Sequence, residues 1–256
     1  VPTSEAAAGT KAPGRGANFR CILSDTPISG DYVKAEGQAG RMGSRLLAIV
    51  AEGARGRVFL PPTDDHEAVA RSARPDWKPS GDVPARLTGG TCVPYGMREW
   101  GDLFTARQLV ALTTLADVVQ QCIEQCSKDA LAAGWSNDPR GLDAGGSGAR
   151  AYAEAVSVYL AFLVDQVANH ASTICGWNHP NTQMRSVFSR QALPMTWDYA
   201  EANVFSDSTG SFNNLYERQV KGFEAICGSG SGFAVQADAA SQQISTGKVV
   251  STDPPY

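Results

Sequence analysis

The residues best suited to chemistry stand at the end of the sequence, where an apolar Val-Val pair at 249–250 precedes Asp253-Pro254-Pro255-Tyr256. Each proline fixes its own φ near about −65° and biases the residue before it away from helix. We therefore expect residues 249–250 to be a strand that ends in a rigid, extended corner. Such a corner presents a carboxylate, backbone carbonyls and an aromatic ring at the end of a sheet. These groups suit a flat ring that carries an amino group.

A second candidate, Asp238, follows an apolar run at residues 233–236 that predicts another strand. A strand, an acidic turn, a connection through Lys248 and a second strand are typical of an open α/β sheet. Ligands of such sheets bind at the carboxyl ends of the strands. Asp238 can therefore face a ligand or simply cap a turn, and the sequence leaves both alternatives open.

Three helices are predicted to carry the chain to these strands. Thr105 and Gln108 have the spacing of a capping box, and apolar residues then recur at three- and four-residue steps to about Ala133. A second apolar stripe predicts a helix over residues 149–172, and the two should pack as a helical hairpin. A third helix is expected over residues 212–226, capped by Ser211.

The N-terminal third of the chain has weaker signals. Residues 1–20 are rich in Ala, Gly, Pro and Thr and predict a flexible lead-in. Residues 46–51 and 58–60 predict a small hairpin, and residues 64–71 a short helix with acids at its start. Residues 74–98 hold many prolines and glycines and predict an irregular linker.

Some cysteines have spacings that metal sites use. Zinc ribbons begin with Cys-x-x-Cys, whereas here Ser24 follows Cys21 at that distance, and a hydroxyl is a poor zinc ligand. Two further pairs would lie one helical turn apart, Cys122 with Cys126 and Cys175 with His179. Small buried cysteines on an apolar face are far commoner than metal ligands. We therefore predict no metal site.

The composition limits the classes of function. With 256 residues and 43% hydrophobic content, the chain can bury a sizeable core. The net charge of −4 argues against nonspecific coating of nucleic acid, although it leaves room for a locally basic groove. No apolar run approaches the ~20 residues of a membrane span and no signal peptide is visible, so we expect no membrane partner, a cytoplasmic location and reduced thiols. The sequence begins with Val1 and ends inside a motif, so we expect it to be part of a longer protein.

Three stretches carry a family resemblance. They are residues 95–109 (YGMREWGDLFTARQL), 190–203 (RQALPMTWDYAEAN) and 205–211 (FSDSTGS). Together with the closing Asp-Pro-Pro-Tyr, they resemble the bacterial and archaeal adenine-specific DNA methylases that carry a zinc-ribbon insertion. The likeness runs from about Cys21 to Tyr256. In that family a Gly-rich cofactor motif precedes a long insertion, and Asp-Pro-Pro-Tyr follows it; the Gly-rich motif is not found in this sequence.

The resemblance implies an α+β, mostly helical chain with a partial α/β methyltransferase sheet. The expected organisation is a lead-in at 1–20, a degenerate zinc-ribbon-like hairpin and linker at 21–98, a helical insertion domain at 99–210 and a partial methyltransferase core at 211–256. The longer protein would then supply the rest of the catalytic sheet.

The implied reaction is methyl transfer from S-adenosylmethionine to the exocyclic amine of an adenine flipped out of DNA. By resemblance, Tyr256 stacks on the base, Asp253 and the carbonyl of Pro254 accept hydrogen bonds from the amine, Pro255 completes the corner, and Asp238 lies by the adenine end of the cofactor. Cytosine remains an alternative substrate. The chain alone is expected to be inactive, and the alternative function is a non-catalytic helical module that binds DNA or a partner. The sequence does not indicate an oligomeric state.

Overall fold

The computed structural model describes residues 10–11, 18–84, 92–189, 192–226 and 235–252. The chain divides into two compact units, residues 1–220 and residues 221–256. The described part is mostly helical, with small antiparallel hairpins. This agrees with the predicted helical character of the chain.

Five α-helices are present among the described residues: α1 Gly30–Gln38, α2 Asp64–Ser72, α3 Ala106–Ala132, α4 Ala149–Ala168 and α5 Phe212–Ala225. Short 3-10 turns at Val93–Tyr95, Trp100–Leu103 and Val187–Ser189 lie in the connections. The strands form three separate two-stranded antiparallel sheets: β1 Phe19–Arg20 with β2 Pro27–Ile28, β3 Ile49–Gly53 with β4 Gly56–Leu60, and β5 Gly176–Asn178 with β6 Gln183–Arg185.

The predicted start of α3 is confirmed. The hydroxyl of Thr105 accepts a hydrogen bond from the Gln108 backbone N–H at 3.2 Å, and the Gln108 side chain accepts one from the Thr105 N–H at 2.8 Å. This is the reciprocal capping box, which satisfies two otherwise unpaired N–H groups. The helix ends where Gly134 adopts a φ of +90°, a conformation that favours glycine.

The helical hairpin of α3 and α4 is also confirmed, and α5 packs on it. Leu163 and Val167 of α4 are buried with Leu215 of α5, and Leu112 of α3 packs against this cluster. Helix α4 ends at Ala168 rather than at the predicted residue 172. The reason lies in the next residue, Asn169, whose backbone carbonyl and side-chain carbonyl accept bonds from the backbone N–H groups of the Val187–Ser189 turn.

A second core forms outside the helical hairpin. It brings the loops that precede α3 onto the segment that follows α4, and its buried members are Val83, Cys92, Leu103, Ile174, Cys175, Val187 and Leu193. The Thr173 backbone N–H and hydroxyl each donate to the carbonyl of Leu103 at 2.8 Å, which closes the same junction through polar contacts. Irregular segments are thus held in place by a core of their own.

In the N-terminal part, β3–β4 confirms the predicted hairpin, and α2 confirms the short helix predicted over residues 64–71. Thr63 caps α2, and the His66 side chain accepts from the Thr63 N–H at 3.2 Å, so this histidine belongs to a capping box. Helix α1 and the short β1–β2 and β5–β6 hairpins were not predicted. Two- and three-residue strands are too short for an apolar pattern to indicate.

The predicted methyltransferase sheet is not seen among the described residues. Val249, expected in a strand, is fully exposed, and residues 249–250 pair with no described strand. Residues 235–252 instead contain turns, such as the one in which the Gln242 N–H donates to the Asp238 carbonyl at 2.9 Å. The physical reason is that β-branched residues make a strand only where a partner supplies the ladder of hydrogen bonds. Residues 233–234 and 253–256 lie outside the described residues.

Helix α4 corrects a second expectation. By length and composition it is apolar enough to cross a membrane, although we predicted that no segment approaches this length. Only 22% of this apolar window is buried, although Leu163 and Val167 of α4 pack against neighbouring helices. Its other side is more open, since Tyr159 and Phe162 are 46% and 56% exposed.

Candidate functional site

The four residues predicted to bind the substrate base, Asp253, Pro254, Pro255 and Tyr256, lie outside the described residues. Their roles therefore stay predictions. Of the predicted site residues, the structure bears only on Asp238.

Asp238 caps a turn. One carboxylate oxygen accepts a bond from the Ala240 backbone N–H at 3.0 Å, and the other accepts one from the Ser241 hydroxyl at 3.2 Å. The residue is exposed. Of the two alternatives that the sequence left open, the described geometry shows the turn cap, and a role at the cofactor stays a prediction.

The stretches that carry the family resemblance lie together in the first compact unit. Arg107, from the first stretch, binds Glu201, from the second, through two hydrogen bonds of 2.9 and 3.0 Å. Gln108 donates to the same carboxylate at 3.0 Å. The hydrogen bonding that Arg107 donates to the Glu201 carboxylate is the main cause that raises the pKa of Arg107.

Aromatic side chains join the same stretches. The ring of Trp197 meets Tyr95 edge-on at a centroid distance of 5.3 Å and Phe19 of β1 at 5.5 Å. Nearby, the buried Cys92 thiol donates to the Leu193 carbonyl at 3.1 Å. Trp197 is therefore fixed from two sides, yet 45% of it stays exposed.

The third stretch is attached through Gly210. Its φ is +91°, and a Cβ placed there would lie 3.0 Å from the Cβ of His170 and 3.2 Å from that of Ala202. His170 itself is buried, and its Nδ1 donates to the Gln166 carbonyl at 2.9 Å. His170 is therefore a core histidine with a satisfied ring nitrogen.

The segment that resembles half of a zinc knuckle does form a tight turn. The Cys21 N–H donates to the Thr26 carbonyl at 2.9 Å and the Asp25 N–H donates to the Cys21 carbonyl at 2.8 Å, between β1 and β2. Hydrogen bonds from the Ser24 hydroxyl, and then from the backbone of Leu23 and Ser24, lower the pKa of the Cys21 thiol. Ser24 thus supports a thiolate at Cys21 without supplying a second one.

No three His, Cys, Asp or Glu side chains among the described residues lie close enough together to hold a metal ion. Cys122 and Cys126 lie on α3, where burial is the main cause that raises the pKa of Cys126. Cys175 follows the end of α4, so the helical spacing considered for Cys175 and His179 is wrong. Burial also raises the pKa of Cys175.

One open pocket of about 450 Å³ lies beside β5 and β6 in the first unit. Its apolar lining includes Val187 and Met195, and its polar lining includes Arg185 and Asp198. Two tryptophans, Trp177 and Trp197, also line it, and we call it the tryptophan pocket. Volumes of this size are typical of sites for small molecules or single residues of a polymer.

S-adenosylmethionine is the cofactor that the resemblance implies, and the described residues by themselves do not form a site for it. They form no parallel sheet, and both carboxylate oxygens of Asp238 already accept bonds from its own turn. No step of a reaction is therefore assigned to the cofactor on these residues.

Comparison with known proteins adds no relative: no family model matches the chain, and neither the curated proteins nor the solved structures contain a significant match. The resemblance therefore depends on the residues quoted above.

Sequence reasoning missed three groups of this region: the Arg107–Glu201 pair, the position of Arg185, and the shared pocket of Trp177 and Trp197. The stretch 190–203 was singled out by resemblance, but nothing in its pattern indicates which of its residues is an ion-pair partner. A charge pair between residues 94 positions apart carries no local signal.

Proposed function

We propose that this chain is part of an adenine-specific DNA methyltransferase, in which it supplies a helical insertion and the base-binding corner Asp253-Pro254-Pro255-Tyr256. The observation that supports this best is the convergence of the family-like stretches on one another. Two of these stretches meet through the Arg107–Glu201 ion pair and the Tyr95–Trp197 aromatic contact, while the assignment to a methyltransferase rests on the resemblance of the residues themselves.

The corner would act by positioning. An adenine amine inside a duplex is out of reach, so the base must be extruded, which costs unstacking and unpairing energy. Stacking on Tyr256 offsets part of that cost. Hydrogen bonds from the amine to the Asp253 carboxylate and the Pro254 carbonyl orient the nitrogen lone pair and stabilise the positive charge that develops on nitrogen.

The cofactor that supplies the methyl group is proposed to be S-adenosylmethionine. Asp238 is the proposed contact near its adenine end, and this role requires the carboxylate to exchange its turn contacts for the cofactor. The protein is proposed to work in the cytoplasm; the described cysteines Cys21, Cys92, Cys122, Cys126 and Cys175 are all free thiols, which fits a reducing compartment.

A second candidate function is a non-catalytic helical module that binds DNA or a partner. It is favoured by the separation of the chain into two units, because the first has both cores and the second shows only turns and part of α5 in its described residues. Calorimetric titration of the chain with S-adenosylmethionine distinguishes the two. Micromolar binding that disappears in Asp238→Ala supports a working site, and no binding supports the module.

The direct test of the catalytic proposal is methylation by the full-length protein. DNA from cells that express it should contain N6-methyladenine, and Asp253→Ala should remove the modification while leaving the protein folded. Retained methylation in Asp253→Ala would overturn the proposed role of the corner.

A further inference from the structure

We propose that the tryptophan pocket binds one unpaired nucleotide of DNA, with the base on the indole rings and its phosphate at Arg185. The choice of nucleic acid as the ligand rests on the proposed function. The site itself lies in the first unit and involves none of the residues assigned to the catalytic corner.

The aromatic surface of the pocket is held ready for a flat ring. Trp197 is fixed edge-on by Phe19 and Tyr95, and Trp177 meets Phe59 of β4 edge-on at 6.4 Å. Trp197 is still 45% exposed, so part of its indole is open to a ligand. Stacking on such faces is the sequence-tolerant way in which proteins hold single-stranded bases.

The guanidinium of Arg185 lies against Gly176. A Cβ built on Gly176 would lie 2.8 Å from Nη2 and 3.0 Å from Nε of Arg185, so the guanidinium occupies the space that any other side chain at 176 would take. No ion pair joins Arg185 to another residue in the described part of the chain. An exposed guanidinium without a carboxylate partner suits a phosphate, which it can bind through two parallel bonds.

The anion of the pocket suits the edge of a base. Asp198 also lines it and likewise forms no ion pair with a described residue. A carboxylate accepts hydrogen bonds only, so it favours bases that carry an exocyclic amine over thymine. Between them, Arg185 and Asp198 match the phosphate and the amine-bearing edge of an adenine, cytosine or guanine nucleotide.

The volume and lining agree with this ligand. About 450 Å³ accommodates one nucleotide, and Val187 and Met195 add apolar surface to the lining. The mixture of indole, guanidinium and carboxylate in one open pocket favours the nucleotide.

The test is fluorescence anisotropy of a labelled single-stranded oligonucleotide of about 10 nucleotides, titrated with the full chain. Trp177→Ala should weaken binding by between about 5-fold and about 100-fold, because one stacked base is lost. Arg185→Gln should reduce the slope of log affinity against log salt by about 0.7, the contribution of one phosphate on a single strand. Asp198→Asn should reduce the preference for oligo-dA over oligo-dT.

The matched control is Arg218→Gln, since Arg218 is an exposed arginine of α5 that does not line the pocket. It should leave affinity and salt slope unchanged. Unfolding curves of every variant must coincide with that of the parent protein. Absence of oligonucleotide binding, or an equal loss in Arg218→Gln, overturns the proposal.

The outcome is separable from the proposed function. Pocket-dependent oligonucleotide binding by a protein that makes no N6-methyladenine keeps this inference and rejects the methyltransferase. The opposite result is methylation that depends on Asp253 while Trp177→Ala and Arg185→Gln leave oligonucleotide affinity unchanged. It keeps the methyltransferase and rejects this inference, and the pocket would then serve a protein partner.

Discussion

Arg107 and Glu201 form a two-bond ion pair across 94 residues of sequence, with Nε to Oε1 at 2.9 Å and Nη2 to Oε2 at 3.0 Å. The same carboxylate accepts from Gln108, whose other contacts cap α3. One acid therefore joins the first turn of the longest helix to the segment that leads towards α5. Glu201 therefore binds the side chain that caps α3 and also holds α3 against a distant segment of the same unit.

Replacing Glu201 with Gln should destabilise the fold. The amide loses the charge-assisted bonds from Arg107 and places an NH₂ group where an acceptor is required. Because both side chains are about a third exposed, we expect a loss of about 1–2 kcal/mol in the free energy of unfolding, below the cost of a fully buried pair. Urea denaturation followed by circular dichroism measures it.

The control for this prediction is Glu217→Gln, which changes an exposed acid of α5 in the same way. It should shift the free energy of unfolding by less than about 0.5 kcal/mol. Equal midpoints for the two variants would show that the Arg107–Glu201 pair does not stabilise the unit.

Two glycines should respond to alanine with opposite signs. Gly210 has a φ of +91° and no space towards His170, so Gly210→Ala should cost about 1–3 kcal/mol. Gly222 lies inside α5 with nothing within 4 Å of its built Cβ, so Gly222→Ala should stabilise the helix by about 0.5–1 kcal/mol. Thermal melts of Gly210→Ala and Gly222→Ala measure both effects. An equal fall in melting temperature for the two variants would contradict the opposite signs expected here.

Asp138 should titrate well below an ordinary aspartate. Its carboxylate accepts from the Arg140 side chain and from the backbone N–H groups of Arg140 and Ser147, and these bonds, led by the Arg140 side chain, lower its pKa from 3.8. A lowered folded pKa means that the carboxylate stabilises the loop above pH 3.8 and that this contribution is lost as the pH falls through the folded pKa.

Carboxyl ¹³C chemical shifts measured against pH test this directly. Arg140→Gln should raise the midpoint of Asp138 towards 3.8, although the two backbone donors remain. A midpoint that does not move would exclude the arginine as the main cause.

Cys21 should be the fastest of the described cysteines to alkylate at neutral pH. The Ser24 hydroxyl and two backbone N–H groups lower its pKa, whereas burial raises the pKa of Cys175 and of Cys126. Since the thiolate is the nucleophile, iodoacetamide should modify Cys21 first, and Ser24→Ala should slow it. Mass spectrometry of the labelled peptides gives the order; preferential labelling of Cys175 would contradict it.

Local signals predicted part of this fold well. The capping box at Thr105 and the long apolar stripes indicated α3 and α4, because a helix is specified by contacts three and four residues apart. The β3–β4 hairpin was likewise recognisable from two apolar runs around a polar turn. Short hairpins such as β5–β6 depend on packing against distant segments. A strand of three residues is too short to show an alternating apolar pattern.

The candidate site was less accessible to sequence reasoning. Residues 249–250 have strand-forming side chains but no described partner strand, so propensity alone misled. Asp238 was equally consistent with a ligand contact and a turn cap, and the cap is what its neighbours Ala240 and Ser241 provide. The tryptophan pocket could not be foreseen, since Trp177 and Trp197 are brought together only by the second core.

The central claim is that Asp253 belongs to an adenine methyltransferase, and nucleoside mass spectrometry tests it most directly. The full-length protein, its Asp253→Ala variant and an Asp143→Ala variant, which alters an exposed loop acid, are expressed in cells that lack adenine methylation, and their DNA is digested to nucleosides. We expect N6-methyladenine with the parent protein and with Asp143→Ala, and none with Asp253→Ala. N6-methyladenine that persists in Asp253→Ala, or that is absent with the folded parent protein, would contradict it.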